Sequence, residues 1–242
     1  MSGRISLASG DAIQTQIGGW SFDERTVPTF DSHVEKSVPF YHEGHSLITK
    51  ISDFFVKHDS VCYDLGCSTG SLLKKLHSYH EGKAGARFIG IDREPAMISS
   101  AKRKCEGQGN LDFLVSDTRL FDFEASDFIT AYYTVQFVPP KDRQELISKI
   151  YGSLNWGGAF LLFEKTRAPD ARFQDITTAL YNEYKLDQGY ALEEILAKTL
   201  SLKGVLEPFS LEGNMGLLRR AGFLDICPVF KYLCFEGYLC IK

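Results

Sequence analysis

The sequence has no run of about 18 consecutive apolar residues, the length that a membrane-spanning helix requires. It also has no secretory signal before residue 30, and no Cys-x-x-Cys pair among its six cysteines. We therefore expect a cytoplasmic protein without membrane association, in which most cysteines are small buried hydrophobic residues.

An excess of positive charge is missing as well. The chain has 27 lysines and arginines against 31 aspartates and glutamates, which gives a formal net charge of −4. Binding of nucleic acid would then need a local basic patch. Basic clusters at residues 74–75 and 102–104 fall on predicted surface helices, where a solvated helix face is the commoner explanation. We expect no direct nucleic-acid partner.

Short apolar runs alternate with helical patterns from residue 61 onward. VCYDLG, RFIGID and LDFLVSD are separated by helical patterns near residues 72–79 and 95–105. ASDFITAYY and AFLLFEK follow, with a helical pattern near residues 142–154 between them. This alternation predicts one α/β domain with a mainly parallel sheet that helices cover on both faces.

The last two apolar runs, LDICPVF and YLCFEGYLCIK, are too close together to contain a crossover helix. We expect them to form an antiparallel hairpin at the edge of the sheet. Seven strands with such a hairpin are typical of the class I methyltransferase (Rossmann-like) fold. We predict a helical N-terminal lid over residues 1–50, and a cofactor-binding domain over residues 51–242 with a helical insert at 168–210. Both helical segments are expected to cover the open top of the sheet.

Three acidic residues close the first three predicted strands. In open α/β sheets, ligands bind at the carboxyl ends of the strands. The first strand leads through Asp64 into a turn in which Gly66 and Gly70 allow close approach of a ligand. Asp92 is placed to accept hydrogen bonds from both ribose hydroxyls, and Asp117, next to Thr118, from an adenine amino group.

Helix-capping aspartates would explain any one of these acids, but they explain the full set less well. Together with the topology, the set favours S-adenosylmethionine over a nicotinamide. The predicted cofactor is S-adenosyl-L-methionine, with S-adenosyl-L-homocysteine as product.

Five segments resemble the carboxy-S-adenosyl-L-methionine synthase family, in order and over nearly the whole chain. They are residues 20–25 (WSFDER), 37–41 (SVPFY), 63–68 (YDLGCS), 95–98 (PAMI) and 136–137 (QF). The resemblance implies a homodimer that takes carbon dioxide from prephenate and makes carboxy-S-adenosylmethionine for a partner enzyme that modifies wobble uridine in transfer RNA. The cofactor contacts that it implies are Tyr41, Gly66, Cys67, Ser68, Asp92, Arg93, Asp117 and Thr118.

The chain departs from the family pattern at two positions of the implied site. Thr199 stands where the family has an arginine that pairs with the extra carboxylate, and Tyr132 stands where it has an asparagine. Neither a hydroxyl nor the flexible Lys198 reproduces a bidentate guanidinium. Arg93 also stands where a neutral residue is usual. We therefore predict a divergent relative, a methyltransferase that uses S-adenosylmethionine and acts on a small organic acceptor.

Two alternatives stay open, a carboxy-S-adenosylmethionine synthase and a non-catalytic protein that binds S-adenosylmethionine. Methyl transfer from a sulfonium mainly needs alignment and exclusion of water. Aromatic rings can stabilise the sulfonium, although core packing explains such rings too. The predicted residues of the substrate pocket are Trp20, Phe22, Arg25, Tyr133, Glu164, Tyr184 and Thr199.

Catalytic candidates are weak in this sequence. His42 and His45 are possible general bases, because imidazole titrates near neutrality, but surface or capping roles are commoner. Tyr133 is a third candidate. Two histidines with one nearby carboxylate are too few ligands for a typical zinc site, so we expect no metal.

Overall fold

The computed structural model describes residues 7–8 and 14–242. A two-stranded antiparallel hairpin, β1 (Leu7–Ala8) with β2 (Gln14–Thr15), comes first. The strands of the main sheet are β3 (Val61–Leu65), β4 (Arg87–Asp92), β5 (Leu111–Val115), β6 (Ser126–Tyr132), β7 (Leu154–Lys165), β8 (Asp225–Tyr232) and β9 (Phe235–Ile241). Their spatial order is β5-β4-β3-β6-β7-β9-β8.

The pairing of the strands confirms the predicted topology. β3 to β7 are parallel to one another, whereas β9 pairs antiparallel with both β7 and β8. The terminal hairpin therefore closes one edge of a seven-stranded, mainly parallel sheet, because only two residues separate its strands. The direction of strand order reverses between β3 and β6, which is where such sheets bind ligands.

Eight α-helices flank this sheet in the described part of the chain. They are α1 (Phe30–Ser37), α2 (Tyr41–Ser52), α3 (Ser71–Tyr79), α4 (Pro95–Lys104), α5 (Pro140–Ser153), α6 (Ala171–Asp187), α7 (Leu192–Ser201) and α8 (Leu211–Ala221). Side-chain caps begin two of them: Asp170 accepts the Phe173 N–H at 3.1 Å, and Ser210 accepts the Gly213 N–H at 3.2 Å. No helix among residues 14–242 is both long and apolar enough to cross a bilayer.

Two hydrophobic cores lie on opposite faces of the sheet. Leu161 and Phe163 belong to the core under α2, α3 and α4, whereas Phe160 and Leu162 belong to the core under α5 and α8. Side chains alternate between the two faces of a strand. The same alternation assigns the last two residues of β7, Glu164 and Lys165, to opposite faces.

The N-terminal segment and the helical insert meet above the carboxyl edge of the sheet. The Trp20 N–H donates to the Ser201 carbonyl at 3.2 Å, and the Tyr181 hydroxyl donates to the Ser37 carbonyl at 2.7 Å. Residues 1–6 and 9–13 of the predicted lid lie outside the described residues, and its boundary at residue 50 stays a prediction. Five cysteines are buried, whereas Cys227 is exposed.

Candidate functional site

A cavity of about 240 Å³ opens where the parallel strands end. The ends of four strands contribute Asp64, Asp92, Tyr132 and Lys165 to its wall. Segments on both sides of the sheet close it from above, with Trp20 and Phe22 from the N-terminal part of the chain. The sequence places polar side chains at this edge because parallel strands all present their carboxyl ends to the same side.

The turn after β3 brings backbone close to the cavity. Gly66 has a φ of 70°, and a Cβ there would overlap the side chain of Thr134, whose hydroxyl donates to the Leu65 carbonyl at 2.7 Å. Ser68 also has a positive φ, of 48°, although it is not glycine. Gly66, Cys67 and Ser68 line the cavity as predicted.

Gly70 begins α3 but does not line the cavity. A Cβ at this position would lie 2.9 Å from the ring of Phe113, and the φ of 77° also favours glycine. Packing of the turn against β5 accounts for this glycine, and the predicted cofactor contact of Gly70 stays a prediction.

The carboxylate of Asp92 is held in a fixed orientation. One oxygen accepts the Ser68 N–H at 2.9 Å and the other accepts the Glu94 N–H at 3.0 Å. The residue is 9% exposed, and burial raises the pKa of its carboxyl group. Each oxygen keeps acceptor capacity toward the cavity, as binding of a ribose diol requires.

Asp64 lies deeper, at the end of β3. The Thr130 hydroxyl donates to its carboxylate at 2.8 Å. Burial raises the pKa of Asp64 to about 7, and the nearby Asp92 carboxylate adds to this shift. Two adjacent carboxyl groups in one buried wall favour a ligand that donates hydrogen bonds or carries positive charge.

Asp117 and Thr118 line the cavity beyond β5, as predicted. Arg119 binds the carboxylate of Asp117 at 2.6 Å and that of Asp142 at 2.7 Å, and hydrogen bonding by this guanidinium lowers the pKa of Asp117. Arg93 lines the rim, where its exposed guanidinium contacts Glu94 at 3.1 Å. No sequence pattern singles out Arg119, although its spacing from Asp117 permits this pairing.

Four rings form an aromatic cluster on the opposite wall: Tyr41, His45, Tyr132 and Tyr133. The ring centroids of Tyr41 and His45 are 4.5 Å apart, and those of Tyr132 and Tyr133 are also 4.5 Å apart. Burial lowers the pKa of His45 to about 3, so its ring is neutral. Its Nε2 has no hydrogen-bond partner within the described residues, which leaves it available to a ligand.

Comparison with known proteins fits this arrangement. Residues 62–158 match the model of a methyltransferase domain family. The chain is 38% identical over 224 residues to a carboxy-S-adenosyl-L-methionine synthase of Staphylococcus epidermidis, across 92% of this chain and 97% of that protein. This chain belongs to the carboxy-S-adenosyl-L-methionine synthase family. A synthase of Campylobacter lari is 37% identical, with 92% and 94% covered.

Solved structures confirm the fold class. Human N-acetylserotonin methyltransferase in complex with S-adenosylmethionine superimposes with a TM-score of 0.62 at 18% identity, across 91% of this chain and 56% of that longer chain. An O-methyltransferase family 2 protein from Planctomyces limnophilus gives 0.61 at 16% identity, across 92% and 62%. The predicted family, enzyme class and cofactor, S-adenosylmethionine, are confirmed.

The position of the family arginine does not reach the cavity in this member of the synthase family. Thr199 is exposed on α7, and its hydroxyl donates to the Ile195 carbonyl at 2.8 Å. The preceding Lys198 lines the cavity instead: its ammonium donates to the Ser37 hydroxyl at 2.8 Å and lies 5.1 Å from the centroid of the Trp20 ring. The predicted pocket position of Thr199 is wrong, because adjacent helical residues point in different directions.

Glu164 is a second correction. It lies outside the cavity, on the face of β7 that packs against α5 and α8. Burial raises the pKa of Glu164 to about 8, although the nearby Arg143 guanidinium opposes the shift. Its neighbour Lys165 lines the cavity. Strand alternation places these two residues on opposite faces of the sheet. Both faces of a central strand are buried, so the sequence does not show which of the two residues faces the cavity.

Three further candidates also lie outside the cavity. Arg25 is exposed and pairs with Asp23, while His42 is exposed and contacts Glu35 at 2.9 Å. Tyr184 lies behind Tyr181, which lines the cavity in its place. Trp20, Phe22 and Tyr133 do line it. No group of three possible metal ligands occurs within the part of the chain that the structure describes.

Proposed function

We propose that this chain transfers the methyl group of S-adenosylmethionine to a small organic acceptor in the cavity. The position of Thr199 carries this proposal. The side chain that replaces the family arginine is a threonine that does not line this chain's cavity, so it provides no guanidinium for an extra carboxylate on the cofactor. A buried carboxylate without a bidentate partner loses much of its stabilisation.

The residues of the cavity fit the unmodified cofactor. The oriented carboxylate of Asp92 would hold the ribose, and Asp117 with Thr118 would hold the adenine. The turn at residues 66–68 would receive the methionine end, because its residues line the cavity just before the N-terminus of α3. When bound, S-adenosylmethionine supplies an activated methyl group on a cationic sulfonium.

The aromatic cluster would then align the acceptor and exclude water. Tyrosine faces attract a cation without presenting a competing nucleophile, and each well-placed ring contributes about 0.5–2 kcal/mol. The neutral His45 ring can accept a hydrogen bond from an acceptor hydroxyl or amine. Among the histidines named from the sequence, we propose His45 rather than the exposed His42 as the one that contacts the acceptor.

Carboxy-S-adenosylmethionine synthesis from prephenate is the second candidate. Two observations favour it: relatives named for this activity align over 92% of the chain, and the Lys198 ammonium lies in the cavity wall. A lysine offers a point charge in place of the planar guanidinium fork. The two candidates therefore differ in whether Lys198 is enough to hold the extra carboxylate.

Incubation with S-adenosylmethionine and prephenate separates the two candidates. Products are identified by mass spectrometry, and titration calorimetry measures binding of S-adenosylmethionine, S-adenosylhomocysteine and carboxy-S-adenosylmethionine. We expect no carboxylated product, and at least about tenfold weaker binding of the carboxylated nucleoside. Formation of carboxy-S-adenosylmethionine would make the synthase the correct function.

We also propose a cytoplasmic homodimer that acts on a small molecule and has no direct nucleic-acid partner. Its described cysteines are all free thiols. Leu192 and Leu196 on α7 are 66% and 60% exposed, and exposed apolar side chains also lie along α6, which supports an interface at this surface. Light scattering of the purified protein tests the dimer.

A further inference from the structure

Two lysine side chains flank a single tyrosine ring at the end of the cavity. Lys165, the last residue of β7, places its ammonium nitrogen 4.3 Å from the centroid of the Tyr181 ring on α6. Lys185, one helical turn further along α6, places its own ammonium 4.6 Å from the same centroid. Lys165 and Tyr181 line the cavity, and Lys185 lies behind them at 7% exposure.

Within residues 14–242, neither lysine has a carboxylate at ion-pair distance. Burial lowers the pKa of both side chains, and the Lys165 ammonium further lowers the pKa of Lys185, to about 8. Two neighbouring cations, one half-buried and one buried, are unfavourable without an anion, so an anion that enters the cavity here gains from both.

Neighbouring residues fix the backbone of Lys165 and the ring of Tyr181. The Gln136 side-chain carbonyl accepts the backbone N–H of Lys165 at 2.8 Å, and the Tyr181 hydroxyl donates to the Ser37 carbonyl at 2.7 Å. These bonds tie the site to the loop after β6 and to α1. Residues that are fixed within the fold lose less entropy when they bind a ligand.

An apolar aromatic wall lies next to the charged groups. The ring centroid of Phe235 is 5.3 Å from that of Tyr181 and 5.7 Å from that of Tyr133, and all three residues line the cavity. A ligand that fits this part of the cavity therefore combines one compact negative group with an apolar skeleton.

We propose that Lys165, Tyr181 and Lys185 form an anion subsite that binds a carboxylate of the methyl acceptor. This inference rests on the proposed function, because it requires a second substrate beside S-adenosylmethionine. The cofactor is itself a cation, and lysines near a sulfonium are favourable only when an anion lies with them. Lys165 contacts the carboxylate directly, whereas Lys185 acts on it through its charge.

A matched pair of probes tests the subsite. Titration calorimetry compares 3-phenylpropionate with its neutral amide, on protein saturated with S-adenosylhomocysteine and on protein without it. Lys165→Met removes the charge and keeps the length of the side chain. Lys149→Met is the control, because the Lys149 ammonium also lies over an aromatic ring, that of Phe123, but outside the cavity.

We expect the acid to bind at least about tenfold more tightly than the amide to the unaltered protein. Lys165→Met is expected to abolish this preference, and Lys149→Met to leave it unchanged. Binding of S-adenosylhomocysteine is expected to change less than about twofold in both variants.

Equal affinity of acid and amide, no binding of the acid, or a preference that survives Lys165→Met would each overturn the subsite. Loss of S-adenosylhomocysteine binding in Lys165→Met would also overturn it, since the ammonium would then serve the carboxylate of the cofactor. Failure of the unaltered protein to bind S-adenosylhomocysteine would instead refute the proposed function. The ratio of the affinities for 3-phenylpropionate and its amide, measured without cofactor, would still show whether the anion subsite exists.

Discussion

The hydroxyl of Tyr132 donates a hydrogen bond to the backbone carbonyl of Tyr41, with 2.8 Å between the two oxygens. This bond joins the end of β6 to the first residue of α2 and holds the Tyr132 ring in the cavity wall. It depends on a third residue. Gly44 lies under the Tyr132 hydroxyl, and a Cβ at Gly44 would overlap it. The large side chain of Tyr132 therefore fits only because Gly44 on α2 has no side chain.

Gly44→Ala is expected to change the free energy of unfolding with opposite signs in two backgrounds. In the unaltered protein the new methyl group clashes with Tyr132 and costs about 1–3 kcal/mol. In Tyr132→Ala the clash is gone, and alanine stabilises the helix by about 0.5–1 kcal/mol. Urea denaturation of the four proteins measures both values.

The exposed Gly152 near the end of α5 provides the control, because nothing lies within 4 Å of a Cβ there. Gly152→Ala should have the same effect in both backgrounds. The same sign for Gly44→Ala in both backgrounds would show that Tyr132 and Gly44 are not matched.

Asp92→Ala is expected to weaken binding of S-adenosylhomocysteine by about 100-fold or more, because hydrogen bonds to a charged group contribute about 1.5–3 kcal/mol each. Asp112→Ala, at an exposed position of β5, is the control and should bind as the unaltered protein does. Titration calorimetry gives both affinities, and circular dichroism checks the fold. Near-native binding by Asp92→Ala would refute its assignment to the ribose.

Glu164→Gln is expected to stabilise the protein more at high pH than at low pH. The pKa of Glu164 is raised from 4.5 to about 8 in the folded state. Its carboxyl group therefore stays protonated there while the unfolded chain ionises, so stability falls as pH rises from about 4.5 to about 8 and is level above that range. Glutamine has no such dependence.

Urea denaturation measures how much Glu164→Gln changes the free energy of unfolding at about pH 5 and at about pH 8.5. The change should be more stabilising at about pH 8.5, by about 1–4 kcal/mol. Binding of S-adenosylhomocysteine should stay unchanged, because Glu164 faces away from the cavity. Glu145→Gln, at an exposed position of α5, is the control for replacing a glutamate by glutamine. An equal effect of Glu164→Gln at both pH values would mean that the buried carboxyl group ionises freely.

The sequence was a reliable guide where chemistry follows directly from strand order. Asp64, Asp92 and Asp117 each follow an apolar run, and parallel strands bring such residues to one edge. The wrong predictions concern the direction in which individual side chains point. Glu164 and Lys165 are adjacent on one strand, and Lys198 and Thr199 are adjacent on one helix, so a shift of one residue exchanges the side chain that reaches the cavity.

Other features depend on contacts between distant segments. Tyr181 and Lys185 reach the cavity region because α6 packs against β7 and α1, a contact that no local pattern specifies. The pairing of Arg119 with Asp142 likewise joins residues 23 positions apart. Such contacts follow from tertiary packing rather than from periodicity, which is why the anion subsite did not emerge from the sequence.

Thr199→Arg tests the position of the missing family arginine. Thr199 lies on the face of α7 that also carries Leu192 and Leu196, seven and three residues earlier, both well exposed. We therefore expect the ratio of affinities for carboxy-S-adenosylmethionine and S-adenosylmethionine to change by less than about twofold. A selective gain of about tenfold or more for the carboxylated nucleoside would show that position 199 does reach the bound cofactor.

The nucleoside that the enzyme carries when it is purified tests the central claim most directly. The protein is produced in a host that makes no carboxy-S-adenosylmethionine of its own but supplies prephenate, then denatured, and the released nucleoside is identified by mass spectrometry. We predict S-adenosylmethionine or S-adenosylhomocysteine alone. Carboxy-S-adenosylmethionine would contradict the account. It would indicate that the Lys198 ammonium pairs with the extra carboxylate in place of the missing guanidinium.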